Sequence, residues 1–415
     1  MNRTRQILSL ILTLLVFTSC TKENDNQKTV WKGKIEYEKG IKVIKNPQEP
    51  LYGIIKLKLE EDLSIGGTGD NEQFTFYKNV PFAIDEKENI YIGDTGNCGI
   101  QKFSKQGRYL QTIGRKGKGP GEFMNIQSFY LGRDGSFIVY DPNKIHLLDK
   151  EGNYEQSFQI PFSSNITSLR ETQDGCYLML VSDFINTRAP VNRILIMSLH
   201  DGTSSTKTIE TFPHPYSNKL IRNNLDFIVN MKFSPNMYFC RLDDRLSVFG
   251  YSSELKLSVI GPAGETEYII EKEEICNPIN KEDKKAGIER DLKIINMFSK
   301  KSGVRFTKRD VEKASRFQKC RPVFSNILPD GNGNIYVIKF KSITDNNKGI
   351  ECDLFSKEGY YLYNVVIPQI SSETMKIRKD FIYMLDEDSD SGYICLKRYK
   401  IKNWDQLKEY NPKDN

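Results

Sequence analysis

Phe103-Ser-Lys-Gln-Gly-Arg-Tyr-Leu110 returns late in the chain as Phe355-Ser-Lys-Glu-Gly-Tyr-Tyr-Leu362. Leu148-Asp-Lys-Glu-Gly-Asn-Tyr154 is a third copy, and Ile260-Gly-Pro-Ala-Gly-Glu-Thr-Glu-Tyr268 is a looser fourth. Each reads as the apolar end of one strand, a polar turn containing glycine, and the start of the next strand. The glycine supplies the positive φ that such a hairpin requires.

A second element recurs upstream of these turns. Asp85-Glu-Lys-Glu-Asn-Ile-Tyr-Ile92, Gly132-Arg-Asp-Gly-Ser-Phe-Ile-Val139, Asp330-Gly-Asn-Gly-Asn-Ile-Tyr-Val337 and, in part, Gln173-Asp-Gly-Cys-Tyr-Leu178 are turns followed by strands rich in Ile, Val, Tyr and Phe. Repeating units of about 40–50 residues with several short antiparallel strands are the mark of propeller blades. Six units follow, at about 80–123, 124–162, 163–215, 224–272, 321–367 and 368–404. The expectation is an all-β, six-bladed β-propeller over residues 41–404, with a C-terminal tail at 405–415. The last unit lacks an outer strand, which the segment from Ile54 through Ile65 can supply. A ring closed in this way leaves no long open sheet edge.

The glycine-rich stretch Thr112-Ile-Gly-Arg-Lys-Gly-Lys-Gly-Pro-Gly-Glu-Phe123 raises the alternative of a phosphate loop. It fails the Walker spacing: from Gly114 the second glycine is Gly119, but Pro120 stands where lysine is required. The dinucleotide pattern fails at Glu122, and no βαβ unit surrounds it. Ser64-Ile-Gly-Gly-Thr-Gly-Asp-Asn-Glu-Gln-Phe74 parallels it, so the stretch is a joint between units. Arg115, Lys116 and Lys118 then decorate an exposed loop able to meet an anionic partner.

Pro81-Phe-Ala-Ile-Asp85, Asn89-Ile-Tyr-Ile-Gly-Asp94, Gly96-Asn97, Ile100-Gln-Lys-Phe103, Gly107 and the Gly114–Phe123 joint together resemble an NHL repeat. The whole chain resembles the six-bladed propeller lipoproteins of Gram-negative anaerobes, which carry a segment like Ile41-Lys-Val-Ile-Lys-Asn-Pro47 before the first blade. The resemblance implies a propeller in the cell envelope and no particular reaction.

The N-terminus agrees. A basic start with Arg3 and Arg5 precedes an apolar run from Ile7 to Phe17, too short to span a bilayer and suited to a signal peptide over residues 1–19. Phe17-Thr-Ser-Cys20 resembles a lipoprotein cleavage site, with lipidation expected at Cys20 and a polar tether over 20–40. The expected location is the outer membrane, on its periplasmic or cell-surface side, with the lipid as the sole membrane attachment.

The chain has 415 residues, 60 Lys and Arg and 54 Asp and Glu. Loss of residues 1–19 leaves 58 basic and 54 acidic side chains, a net of +4, which gives no support for nucleic acid as a partner. Residues 281–319 hold 13 basic and 6 acidic residues, a net of +7, so the remainder sums to −3. This region lies within an insertion, 273–320, between units four and five. Ile288, Leu292, Ile295 and Phe298 have helical spacing, and Thr307 can cap a second helix with Val311, Ala314 and Phe317. Lys300, Lys301, Lys308 and Arg309 are candidates for an anionic partner. Cys276 and Cys320 bracket the insertion and, if paired, would close it as a long loop.

Chemical motifs are sparse. Of the eight cysteines none forms C-x-x-C, and the three histidines, His146, His200 and His214, lack metal-ligand spacing. Asp386-Glu-Asp-Ser-Asp-Ser-Gly392 departs from a calcium loop at Ser391 and Lys397. No Gly-x-Ser-x-Gly elbow occurs. No catalytic, metal or cofactor site is expected. The reading is a binding or scaffold protein that engages an envelope protein or a glycan through its loops and channel mouth. The alternative is a propeller lyase or hydrolase acting on carbohydrate or peptide at the channel.

Overall fold

The computed structural model describes residues 30–66, 76, 80–132, 134–141, 144–160, 165–173, 176–183, 191–200, 203–213, 217–222, 225–300, 303–342, 344–345, 349–368, 374–387 and 393–411. The expected signal peptide and Cys20 lie outside them.

The four copies of the repeat are one local structure. In each, the third strand of a sheet ends in a tight turn and the fourth begins. Gly107, Gly152, Gly264 and Gly359 all have φ between 79° and 93°, where a Cβ would be strained. The turns carry the same pair of backbone hydrogen bonds: Ser104 N–H to Arg108 O and Gly107 N–H to Ser104 O in the first copy, Ser356 N–H to Tyr360 O and Gly359 N–H to Ser356 O in the last. Each is accompanied by a one-residue register shift, at Phe103, Leu148, Ile260 and Phe355. The shift is a bulge that adds twist where the outer strand departs.

Six antiparallel sheets result. They begin with Phe82–Ile84, Ser128–Leu131, Asn165–Gln173, Met237–Arg241, Phe324–Pro329 and Met375–Arg378, and each runs strand by strand outward. First strands of neighbouring sheets touch: Phe82–Ile84 meets Ser128–Leu131, and Phe324–Pro329 meets both Met237–Arg241 and Met375–Arg378. Apolar clusters fill every junction between consecutive sheets, including the last with the first, where Tyr383 and Leu396 pack with Phe82, Ile90 and Ile92. The molecule is a six-bladed β-propeller, and the first strands surround its axis.

The N-terminal segment closes it. Leu59–Gly66 pairs antiparallel with Ile394–Ile401 and completes blade six. Arg398 makes two hydrogen bonds of 2.9 Å to the Asp62 carboxylate across this seam and one of 2.6 Å to Lys105 O in blade one. The expected donor segment is narrower than the sequence suggested. Ile54–Lys56 instead pairs in parallel with Tyr361–Ile367 of blade five. Further upstream, Ile41–Asn46 pairs in parallel with Thr266–Lys272 of blade four, and Lys34–Glu38 adds to it. The sheet therefore begins at Lys34, inside the stretch expected to be tether, and just before it Trp31 is buried, its Nε1–H donating to Asn46 Oδ1 at 3.1 Å.

Two further differences concern the insertion. Residues 217–222 and 225–230 form a separate hairpin, and blade four begins at Met237 rather than near 224. The hairpin's Leu220 and Val229 bury against the insertion's helices, α1 (Lys281–Ser299) and α2 (Lys308–Ala314). Asn280 and Thr307 begin these helices with full capping boxes to Asp283 and Asp310. The buried stripe of α1 is Ile288, Ile295 and Ser299, with Leu292 half-buried. Phe298, expected inside, is 68% exposed, because Ser299 takes the inward place four residues after Ile295. Phe317 lies beyond the end of α2 and is only partly buried.

Ile65 is buried in the seam between blades six and one, whereas Ile54 is 75% exposed on the edge of blade five. In urea unfolding, Ile65→Ala is expected to lower stability by about 2–4 kcal/mol and Ile54→Ala to change it by less than about 0.5 kcal/mol. Equal losses at the two positions would contradict closure by Leu59–Gly66.

Candidate functional site

The glycine-rich joint does hold an anion, and the anion is its own. Arg115–Lys116 pairs in parallel with Glu122–Phe123, folding the loop back on itself. The Glu122 carboxylate accepts hydrogen bonds from Gly119 N–H and Arg115 Nε, both 2.9 Å. A Cβ on Gly117 would lie 2.0 Å from Glu122 Oε2, so glycine is required for the carboxylate to enter. Hydrogen bonds from the Gly119 amide and from Arg115 hold this carboxyl below its usual range. The place a phosphate would occupy is filled. Lys116 and Lys118 remain exposed, as does Arg115.

The insertion is clamped at its base. Cys276 and Cys320 are joined by a disulfide that closes a loop of sequence separation 44. Next to it, Arg321 makes two 2.9 Å hydrogen bonds to the wholly buried Asp283 carboxylate, which also accepts from Ser342 Oγ at 2.7 Å and Thr344 Oγ1 at 2.8 Å. Burial pushes the Asp283 carboxyl up, but the hydrogen bonds from Ser342, Thr344 and Arg321 outweigh it and hold it below its ordinary 3.8. Lys300, Lys308 and Arg309 are exposed, and Lys308 lies 3.9 Å from Glu289. Lys301 is outside the described residues. The two basic groups thus sit on different elements: one follows blade one and the other follows blade four.

The residues that converge are ones the sequence reading did not single out. Lys376, on the first strand of blade six, places its amine 5.4 Å from the centre of the Phe82 ring of blade one. It also interacts with the Cys240 thiol of blade four, which in turn senses Arg170 of blade three. Lys376, Cys240 and Arg170 stand on the first strands of blades six, four and three, which surround the axis. Burial pulls the Lys376 amine below its usual 10.5, partly opposed by Cys240. The same burial pushes the Cys240 thiol up to about 12, against the pull of Arg170 and Lys376. The Lys376 side chain is nonetheless exposed to water. Among the described residues it makes no hydrogen bond or ion pair.

Arg170 is committed elsewhere. Its guanidinium donates to Leu246 O, Ser247 Oγ (2.6 Å) and Asp244 O (3.0 Å), pinning blade three to blade four. The six first strands carry Arg170, Arg241, Lys376 and Arg378 but a single carboxylate, Glu171. Among the described residues no group of three or more His, Cys, Asp or Glu is arranged to hold a metal ion. His146 is buried edge-on against Phe123, with ring centres 5.3 Å apart. Burial lowers its pKa despite Asp141 at 3.8 Å. The side chains of His200 and His214 lie outside the described residues, as do residues 388–392 of the acidic loop. The signal for Lys376 was present in Met375-Lys-Ile377, a charge between two apolar strand residues, but its partners come from distant parts of the chain.

A family model described as a 6-bladed β-propeller matches residues 78–251. No curated protein matches the chain. Similar solved structures include an exported protein from Bacteroides fragilis NCTC 9343, 12% identical over 87% of this chain and 99% of that one, with a TM-score of 0.47. A member of the duf4221 family from Bacteroides vulgatus is 10% identical over 83% of this chain and 98% of its own, with a TM-score of 0.49. Virginiamycin B lyase from Staphylococcus aureus is 10% identical over 83% and 99%, with a TM-score of 0.38.

The Asp283 clasp gives a direct test. Its depressed pKa stabilises the folded state in full above about 3.8, and that contribution is lost as pH falls below it. Asp283→Asn leaves Arg321 without its charged partner and is expected to cost about 3 kcal/mol. Hydrogen exchange should accelerate across α1 in the variant, and in the native protein at acid pH, while the blades stay protected. Unaltered exchange in α1 would show that the clasp does not hold the insertion.

Proposed function

We propose that the protein is a lipid-anchored binding module of the cell envelope, and that it takes an anionic group of its ligand at the centre of the ring. The observation that carries this reading is the Lys376 amine, water-accessible, without an ion-pair partner among the described residues, and set over an aromatic face. The Lys376 side chain is exposed and has no counter-ion among the described residues, so its charge is available to a ligand. A ligand carboxylate or sulfate entering the channel forms a charge-assisted hydrogen bond with it. The Phe82 ring, 5.4 Å away, steadies the amine through its π-face. An acidic glycan, or an envelope protein presenting a carboxylate, supplies the required chemistry.

The envelope location rests on the Ile7–Phe17 apolar run and Phe17-Thr-Ser-Cys20, with Cys20 as the lipidated residue of an outer-membrane lipoprotein. The basic joint residues Arg115, Lys116 and Lys118 belong to the exposed surface and offer secondary contacts to the same class of partner. A lyase or hydrolase would need acids or histidines to converge on the channel. Among the described residues the first strands offer one carboxylate, Glu171.

Titration calorimetry with uronic-acid-containing oligosaccharides, against neutral ones of equal length, tests the proposal. Binding is expected only for the acidic set. Lys376→Met should weaken it by at least about tenfold, the worth of one charged hydrogen bond, while Lys376→Arg retains part of it. Affinity should fall as pH rises through the lowered pKa of Lys376, earlier than for an ordinary lysine. Equal binding of neutral sugars, or acidic binding indifferent to Lys376→Met, would end the proposal.

A further inference from the structure

The outward face of α1 is unusual for a solvated helix. Ile294, Met297 and Phe298 lie within one turn, and each is exposed, Met297 at 62% and Phe298 at 68%. Arg290, Lys293 and Lys300 surround them and are exposed as well. The opposite face is fixed by Ile288 and Ile295 in the apolar cluster with Leu220, Val229 and Phe306, so the helix presents its outer face rigidly. The result is an apolar ridge ringed by cations on the segment of net charge +7.

Strand register places the base of the insertion that carries this ridge. Lys34 pairs with Lys45, Lys45 with Glu271, and Asn46 with Lys272. The chain therefore enters the fold at the same end of blade four from which it leaves, at Lys272, to build the insertion. Two strand spacings separate Lys34 from Glu271, about 10 Å. Gln48 fastens the corner with a hydrogen bond to Glu273 O. Trp31 is already buried at this corner, its Nε1–H donating to Asn46 Oδ1 at 3.1 Å, so ten residues separate it from Cys20, and a chain of that length reaches at most about 35 Å. A lipid on Cys20 thus keeps the base of the insertion close to the bilayer.

We propose that α1 lies in the surface of an anionic membrane, with Ile294, Met297 and Phe298 entering the headgroup boundary and Arg290, Lys293 and Lys300 meeting lipid phosphates. This rests on the anchor at Cys20 for its proximity but not for its chemistry. Basic residues around an apolar ridge are the composition of interfacial helices. A protein partner fits less well: three side chains fall far short of the roughly 800 Å² per partner that a specific interface buries. Docking by α1 would also fix the orientation of the propeller on the membrane, so that its channel faces one direction.

The test uses vesicles of equimolar phosphatidylglycerol and phosphatidylcholine against vesicles of phosphatidylcholine alone. The lipidated protein and a Cys20→Ser chain starting at that residue are compared by flotation and by hydrogen exchange in α1. The Cys20→Ser protein should float with the anionic vesicles only, and less so as salt rises. Lys300→Gln should weaken this about fivefold, and Phe298→Ser about tenfold, both with unchanged thermal unfolding because the two side chains are exposed. In the lipidated protein the same variants should remain on the membrane but lose protection of α1. Failure of the lipidated chain to outlast Cys20→Ser would count against the anchor alone. Equal binding to both vesicle types, or binding unaffected by Lys300→Gln and Phe298→Ser, would overturn docking by α1. So would protection that arises only with envelope proteins.

Discussion

Leu59–Gly66 is hydrogen-bonded to Ile394–Ile401, and on that pairing the whole ring depends. A propeller blade buries its two faces only against neighbours, so six blades in an open arc would expose two apolar faces, one at each end. Here those faces belong to Tyr383 and Leu396 on one side and Phe82, Ile90 and Ile92 on the other, and the closing strand contributes Ile65 between them. Arg398 strengthens the seam from both directions, through Asp62 in the closing strand and Lys105 O in the next blade. Because the strand comes from the start of the chain, closure waits on the last blade, and the first and last parts of the sequence become one cooperative unit.

The same N-terminal segment ties together more than the seam. From Lys34 to Gly66 it runs along the outer edges of blades four, five and six in turn. Each added strand covers an edge that would otherwise offer unpaired backbone groups. The segment also determines where the chain enters the fold, beside the base of the helical insertion. That base is itself rigid, held by the Cys276–Cys320 disulfide and the buried Asp283–Arg321 pair.

Glycine carries two different roles in this chain. At Gly107, Gly152, Gly264 and Gly359 it permits a left-handed turn conformation. At Gly117 it makes room for the Glu122 carboxylate. The second role is instructive because the composition of the joint suggests phosphate binding. The loop does have the donors to hold an anion, but it satisfies them internally. An acidic residue just past a glycine-rich run is thus a local sign that the run binds itself.

How much of this was legible in the sequence follows from the range of the forces involved. Turns and strand alternation are local, so the repeated Phe-Ser-Lys-x-Gly unit revealed the blades, their number and the helical insertion, and even Thr307 as a cap. A missing strand in the last unit and a spare one near Ile65 revealed closure, because a sheet edge left open is costly. Facing and partnership are not local. Whether Phe298 or Ser299 turns inward depended on a hairpin at 217–230 that the helix packs against, and that Ile54 pairs with blade five depended on where the chain crosses the ring. The meeting of Lys376, Cys240 and Phe82 depends on three blades arriving at one axis, and a linear sequence holds no record of which side chains an axis brings together.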